Sequence, residues 1–341
     1  MHFRRQFRRR FYGAWVPWVI LIAWLGTAMA AIPADAIPDL RLDARTVTVS
    51  GMSAGGYVAH QLHVAYSDLF TGVGIIAGGP YGCAEGSLAK AMSQCMGAAV
   101  ALPAAPFVRQ VEVAAAAGRI APLQALRDDP VWLFRGTLDR AVAAPVADAL
   151  AALYGQLVDP AKLVYIKDIA AAHLFPTLHE GGPCTQSTVP FIGNCGFDAS
   201  GKLLNHLYGR LAEPGSADMD HLRRIVVAKA ATAGLMDRAY LYTPADCIKG
   251  RHCRLHLVLH GCGQSAATLG MDFIRQSGYL PWAESNGIVL LYPQVQPSAV
   301  NPYACFDWWG YSGKNYRYRD GVQMRTMVGL VKAVLNPRPH P

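Results

Sequence analysis

Apolar residues follow two rhythms along this chain. Thr46 to Ser50 is β-branched and alternating, as a strand should be. Val73 to Ala77, Val131 to Phe134, Leu163 to Ile166, Ala239 to Tyr242, Leu255 to Leu259 and Gly287 to Tyr292 are short, mostly apolar runs of strand length. Helical spacing separates several of them, at Tyr57 to Tyr66, Val108 to Ala117 and Pro145 to Tyr154. Gly321 to Leu335 places apolar residues at 322, 324, 327, 328, 331 and 335, one buried helix face, and stops at Asn336-Pro337. Strands alternating with helices predict an α/β fold, a mostly parallel sheet with helices on both faces. Residues 175–235 keep neither rhythm and read as an excursion over the sheet. No repeat, low-complexity tract or linker divides the chain, so a single domain is expected over residues 36–337.

Composition supports a large core: of 341 residues, 52% are hydrophobic and 16% charged, far from a disordered balance. The formal charge of +8 would suggest an acidic partner, but its position argues otherwise. Arg4, Arg5, Arg8, Arg9 and Arg10 precede an apolar run from Phe11 to about Pro33 that contains Ala28-Met29-Ala30. A basic start, an apolar stretch and a small-x-small ending predict a signal peptide over residues 1–30. Without it, 26 basic residues face 23 acidic ones, a net +3, and nothing points to nucleic acid. An uncleaved anchor is the alternative, because the run nearly reaches bilayer length; Pro17 and Gly26 count against a spanning helix. Export to the periplasm or the medium is expected either way, with tethering if the segment stays.

Eight cysteines fit an oxidising compartment. They fall in sequence as Cys83 near Cys95, Cys184 near Cys195, Cys247 near Cys253, then Cys262 and Cys305. Four disulfides are expected, although sequence alone leaves the pairing open. No C-x-x-C occurs and no pair has a histidine at zinc-finger spacing, so no metal is expected.

Gly51-Met52-Ser53-Ala54-Gly55 fits G-x-S-x-G between a strand and a helix. A nucleophilic serine must stand on a sharp turn at the sheet edge, and glycines two positions away on either side prevent collision with neighbouring backbone. Its hydroxyl needs a base that is neutral near working pH, which favours histidine. His60 and His63 follow on the next helix and are expected to make surface or packing contacts. His173 lies in a loop just beyond a strand, in Ala172-His173-Leu174. Asp139 ends another strand, in Gly136-Thr-Leu-Asp139, whereas Asp128 and Asp129 precede that strand and read as turn residues. The order Ser…Asp…His is that of α/β-hydrolases. Ser53, Asp139 and His173 are therefore the expected triad.

An oxyanion hole needs two inward N–H groups. Ala54 N–H is one candidate. The second normally comes from a loop earlier than the nucleophile, yet few mature residues precede Ser53. Leu259-His260-Gly261-Cys262-Gly263-Gln264 has the right character, a strand running into H-G-x-G, but lies about two hundred residues later. Circular permutation reconciles the two, with the usual first half of the fold following the second and a natural joint from Asn336-Pro to Leu42. Cys262 is then expected to bond Cys305 and tie this loop to Phe306-Asp-Trp308-Trp309.

With these residues assigned, the chain resembles the poly(3-hydroxybutyrate) depolymerases, especially the single-domain, circularly permuted kind. The resemblance runs from about residue 45 to 335. It rests on G-M-S-A-G-G-Y at 51–57, A-Y-S-D-L-F at 65–70, A-G-G-P-Y at 77–81, C-R-L-H-L-V-L-H-G-C-G-Q at 253–264 and C-F-D-W-W-G-Y at 305–311. It implies Ser53, Asp139 and His173 as catalytic residues, Ala54 and Cys262 as oxyanion donors, and Phe306, Trp308 and Trp309 along a polyester-binding crevice. It implies no cofactor, a hydroxyacid ester as substrate, and a monomer without a protein partner. Two positions depart from the family: Phe306 stands where tryptophan is usual, which bears on substrate preference, and Ala172 where glycine is common. Many bacterial members add a polymer-binding domain; here adsorption is expected to use the hydrolase surface itself. Two other readings share these residues: a feruloyl or acetylxylan esterase, and a catalytically silent hydrolase-fold binding protein.

Overall fold

The apolar runs assemble into one eight-stranded sheet. The structure is a computed structural model and describes residues 36–337; the segment expected at 1–30 lies outside the described residues. In chain order the first four strands are β1 (Thr48–Met52), β2 (Val73–Ile76), β3 (Val131–Phe134) and β4 (Leu163–Ile166). Three short strands, β5 (Phe175–Thr177), β6 (Gly182–Pro183) and β7 (Ile192–Asn194), form a separate small sheet. The last four are β8 (Leu222–Val226), β9 (Arg238–Tyr242), β10 (Arg254–Leu259) and β11 (Ile288–Tyr292).

Across the main sheet the order is β8-β9-β11-β10-β1-β2-β3-β4, with β9 antiparallel to both neighbours and the other pairings parallel. One half of the sheet is therefore residues 222–292 and the other is residues 48–166. β1, which comes first in the sequence, sits in the middle of the sheet against β10. This is the circularly permuted α/β-hydrolase arrangement. The segment leading into β1 is anchored beside β10, where Asp43 N–H donates to Cys253 O at 3.0 Å and Cys253 N–H to Arg41 O at 2.8 Å.

Both faces of the sheet are covered, which is why its strands read as apolar runs. Successive side chains point to opposite sides. Val49, Ile75, Leu133, Leu257 and Leu291 pack on one face beneath helices Ala54–Ala65, Ala105–Ala116, Ala144–Leu157 and Val322–Leu335. Met52, Ile76, Trp132, Val258 and Leu290 face the other way, toward helices Ala199–Tyr208 and Tyr279–Asn286. Residues 175–235 are more ordered than their pattern predicts, holding the small sheet, a helix and the edge strand β8. Among the described residues no helix is long and apolar enough to cross a membrane.

The second face carries a buried polar ladder. His256 Nδ1 lies 2.6 Å from Thr48 Oγ1 and its Nε2 2.7 Å from Ser50 Oγ, while Ser50 Oγ reaches Tyr279 OH at 2.7 Å. Burial pushes the His256 imidazole down to about 3 from the ordinary 6.5. His60 and His260 are driven down by burial as well, to about 3 and about 4. All three are neutral when folded but take up protons near pH 6.5 when unfolded, so the unfolded state binds more protons below that pH. Stability should be fully present above about pH 6.5 and decline steadily as pH falls toward 4. Calorimetric Tm values at neutral and acidic pH check this, and a flat profile would contradict it.

Candidate active site

Ser53 stands where β1 meets helix Ala54–Ala65, with φ 53° and ψ −122°. Positive φ is strained for a residue with a Cβ. The turn is held by Ser53 N–H donating to Ile76 O at 2.9 Å and by Tyr57 N–H donating to Ser53 O at 2.9 Å. Two glycines make room for it. A Cβ on Gly51 would overlap the Gly55 carbonyl, and one on Gly55 would lie 2.5 Å from the carbonyl oxygens of Leu259 and His260. The second contact brings the start of the helix against the end of β10.

The loops after β3 and β4 are stitched together, with Thr137 N–H donating to Ile169 O at 2.8 Å and Leu138 N–H to Ala171 O at 3.1 Å. Asp139 and His173 extend from this seam. Asp139 Oδ1 accepts from Ala141 and Val142 N–H, both at 2.9 Å, and its Oδ2 lies 2.9 Å from His173 Nδ1. His173 Nε2 is 2.9 Å from Ser53 Oγ. The histidine backbone is fixed by Ser187 Oγ–H donating to His173 O at 2.8 Å and by Ala172 N–H donating to Cys184 O at 2.8 Å. An acceptor at Nδ1 selects the tautomer with the proton there and leaves the Nε2 lone pair facing the serine hydroxyl. The Asp139 side chain is 1% exposed and that of His173 14%, so the carboxylate is sealed while the imidazole meets the surface.

The H-G-C-G-Q segment lies directly beside this row: a Cβ built on Gly261 would be 3.4 Å from Ser53 Cβ. Both sides of Gly261 are pinned. Its N–H donates to Gln264 Oε1 at 2.8 Å, and its carbonyl lies 2.8 Å from His260 Nδ1. Val295 N–H donates to His260 Nε2 at 3.3 Å, so the neutral ring carries its proton on Nδ1 and gives it to Gly261 O. In a trans peptide N–H and C=O point in opposite directions. Anchoring Gly261 O on His260 therefore turns Cys262 N–H the other way. Among the described residues neither Cys262 N–H nor Ala54 N–H has a hydrogen-bond acceptor. Two unpaired amides beside a serine can accept an anion.

Cys262 stands at disulfide distance from Cys305, as do Cys83 from Cys95, Cys184 from Cys195 and Cys247 from Cys253. Beyond Cys305, Asp307 accepts from the N–H groups of Gly310, Tyr311 and Ser312 at 2.6, 3.0 and 2.8 Å, knotting the turn that carries Trp308 and Trp309. Trp308 stacks on Tyr57 with ring centroids 4.4 Å apart, and Trp309 meets it edge-on at 5.8 Å. The Tyr57 hydroxyl donates to Cys95 O.

Several expectations need correction. Phe306 is fully buried and packs on His260 with centroids 4.7 Å apart, so it supports the loop from behind and does not line an open crevice. Trp308, 6% exposed, is mostly core, while Trp309 keeps partial exposure. Asp129 is no mere turn residue, because its Oδ2 lies 3.0 Å from His63 Nε2, and His63 Nδ1 lies 3.0 Å from Tyr154 OH. His60 and His63 are wholly internal, which leaves packing, not surface contact, as their role. The sequence reading missed Gln264. Besides Gly261 it binds Pro190 O and Phe191 O through Nε2, each at 3.0 Å, and its only sequence signal is its place after H-G-C-G. Among the described residues no group of three or more His, Cys, Asp or Glu is placed to hold a metal.

Sheet order and the serine turn at the end of β1 define an α/β-hydrolase. No protein-family model matches the chain. It is 34% identical over 336 residues to a polyhydroxybutyrate depolymerase of Talaromyces funiculosus, covering 93% of this chain and 98% of that one. It is 39% identical over 316 residues to a poly(3-hydroxybutyrate) depolymerase of Delftia acidovorans, covering 91% of this chain but only 63% of that longer relative. Among solved structures, a PHB depolymerase complexed with an R3HB trimer superposes with a TM-score of 0.83 at 33% identity, over 88% of this chain and 99% of that one. The PHB depolymerase from Penicillium funiculosum superposes at 0.82 with the same identity and coverage. The chain belongs to the polyhydroxybutyrate depolymerase family of carboxylic ester hydrolases.

Gln264→Leu keeps the side-chain bulk but removes the clamp on Gly261. It should lower kcat on a soluble short-chain ester about tenfold or more, with a smaller change in KM. Steady-state kinetics, with a thermal melt to verify folding, check this.

Proposed function

We propose that this protein is an exported serine esterase that cleaves poly(3-hydroxybutyrate) or related polyhydroxyalkanoates through an acyl-enzyme. The observation that carries the reading is the row Asp139–His173–Ser53, closed by two contacts of 2.9 Å and ending beside two unpaired amides. Ser53 Oγ attacks the ester carbonyl as His173 Nε2 takes its proton. Asp139 holds the ring and stabilises the imidazolium. Ala54 and Cys262 N–H receive the negative charge that develops on the carbonyl oxygen. His173 then protonates the leaving alkoxide, and water repeats the sequence to release the hydroxy acid. The chain's own residues supply every group in this scheme.

The choice of polyester over carbohydrate esters rests on family membership and on the neighbouring structure that holds an R3HB trimer. Export is supported by the four cysteine pairs together with the basic and apolar start of the sequence. Residues 36–337 act in this reading as one monomeric catalytic domain.

Purified protein should clear a polyhydroxybutyrate suspension and release little acetate or ferulate from xylan; the reverse result would favour the carbohydrate-esterase reading. Asp139→Asn should lower kcat by about 10⁴ with little loss of fold, because the wrong imidazole tautomer then faces Ser53. Circular dichroism and single-turnover assays of the same preparation test that pairing of effects.

A further inference from the structure

A cavity of about 520 Å³ opens against His173 on the side of the Asp139 loop, within the size range of small-molecule sites of about 300–1,000 Å³. Its wall includes Leu138, which is 43% exposed, the hydroxyl residues Thr185 and Ser187, and the exposed cation Arg140. None of its lining residues is acidic, and Arg140 has no ion-pair partner among the described residues. The walls are firmly held. Arg140 lies between Asp139 and the Ala141 and Val142 N–H groups that donate to the Asp139 carboxylate, and Ser187 Oγ–H donates to the His173 carbonyl.

We infer that Arg140 binds the free carboxylate of the leaving fragment, so that this side of the site receives carboxylate-ended hydroxyacid oligomers. This deepens the ester-hydrolase reading above and rests on it. The direction of the polymer sets which fragment departs. When Ser53 Oγ bonds to the acyl carbon and the ester C–O bond breaks, the proton on His173 Nε2 passes to the departing oxygen. That oxygen is the 3-hydroxyl of the next unit, so the fragment that leaves always runs toward the chain's carboxyl end. The group that protonates it borders the cavity, which places the leaving fragment there. In a short oligomer the fragment ends in a carboxylate within a few bonds, and a guanidinium is the side chain best shaped to pair with it. Leu138 gives an apolar surface for the branch methyl, and the Thr185 hydroxyl can donate to an ester carbonyl.

The test compares the free acid and the methyl ester of a 3-hydroxybutyrate trimer as substrates, with cleavage of the internal esters followed, because esterification removes the terminal charge at the cost of one added methyl group. The readout is the ratio of kcat/KM for acid over ester. Arg140→Ala should lower this ratio about fivefold, Arg140→Lys should retain most of it, and Arg140→Glu should lower it further. Raising salt to about 0.5 M should shrink the wild-type ratio and leave that of Arg140→Ala nearly unmoved. An unchanged ratio in Arg140→Ala, with both substrates still turned over, overturns the inference alone. Failure of the wild type to cleave either trimer overturns the ester-hydrolase reading and the inference with it.

Discussion

At Gly55 the backbone of the helix after Ser53 comes so close to the carbonyls of Leu259 and His260 that no side chain fits between them. This contact joins two parts of the chain some two hundred residues apart. It sets the strained serine at the end of β1 directly beside the loop at the end of β10, and it requires the two strands to be neighbours in the sheet. The permuted strand order, the glycines of the serine turn and the late position of H-G-C-G all follow from that one geometric demand.

Around the contact, each group of the proposed triad and of the adjoining loop is held by backbone rather than by its own contacts alone. Asp139 and His173 ride on two loops bonded to one another, and Gly261 is gripped on both sides by His260 and Gln264. Such preorganisation matters because dipoles already in place need not reorganise as charge develops. The neutrality of His260 is part of the same device. Burial keeps its ring uncharged, so one nitrogen donates to Gly261 while the other accepts from Val295. Phe306 and the Cys262–Cys305 pair close the loop from behind.

Much of this was legible in the sequence because the relevant signals are local. Most strands of the main sheet are short, mostly apolar runs, the serine motif lies between a strand and a helix, and three of the four cysteine pairs are at most twelve residues apart. The edge strand β8 was not legible. Leu222-Arg-Arg-Ile-Val226 carries two arginines and has only one fully buried side chain. Strands of two or three residues, as in β5 to β7, are too short to impose a period. Long-range side-chain pairings were hidden for a different reason. Nothing near Gln264 in sequence signals that its amide reaches Pro190 and Phe191, and nothing near Phe306 signals that it stacks on His260. Asp129 and Asp139 flank the same strand and differ chiefly in which histidine the fold brings to each.

The central claim is that the geometry at residue 53 makes one ordinary hydroxyl unusually reactive. Treatment of the pure, folded protein with a fluorophosphonate, followed by intact mass and peptide mapping, measures that reactivity directly. Rapid addition of one phosphonyl group per chain, located on Ser53, is the expected result. No adduct, or an adduct at another serine, would contradict it.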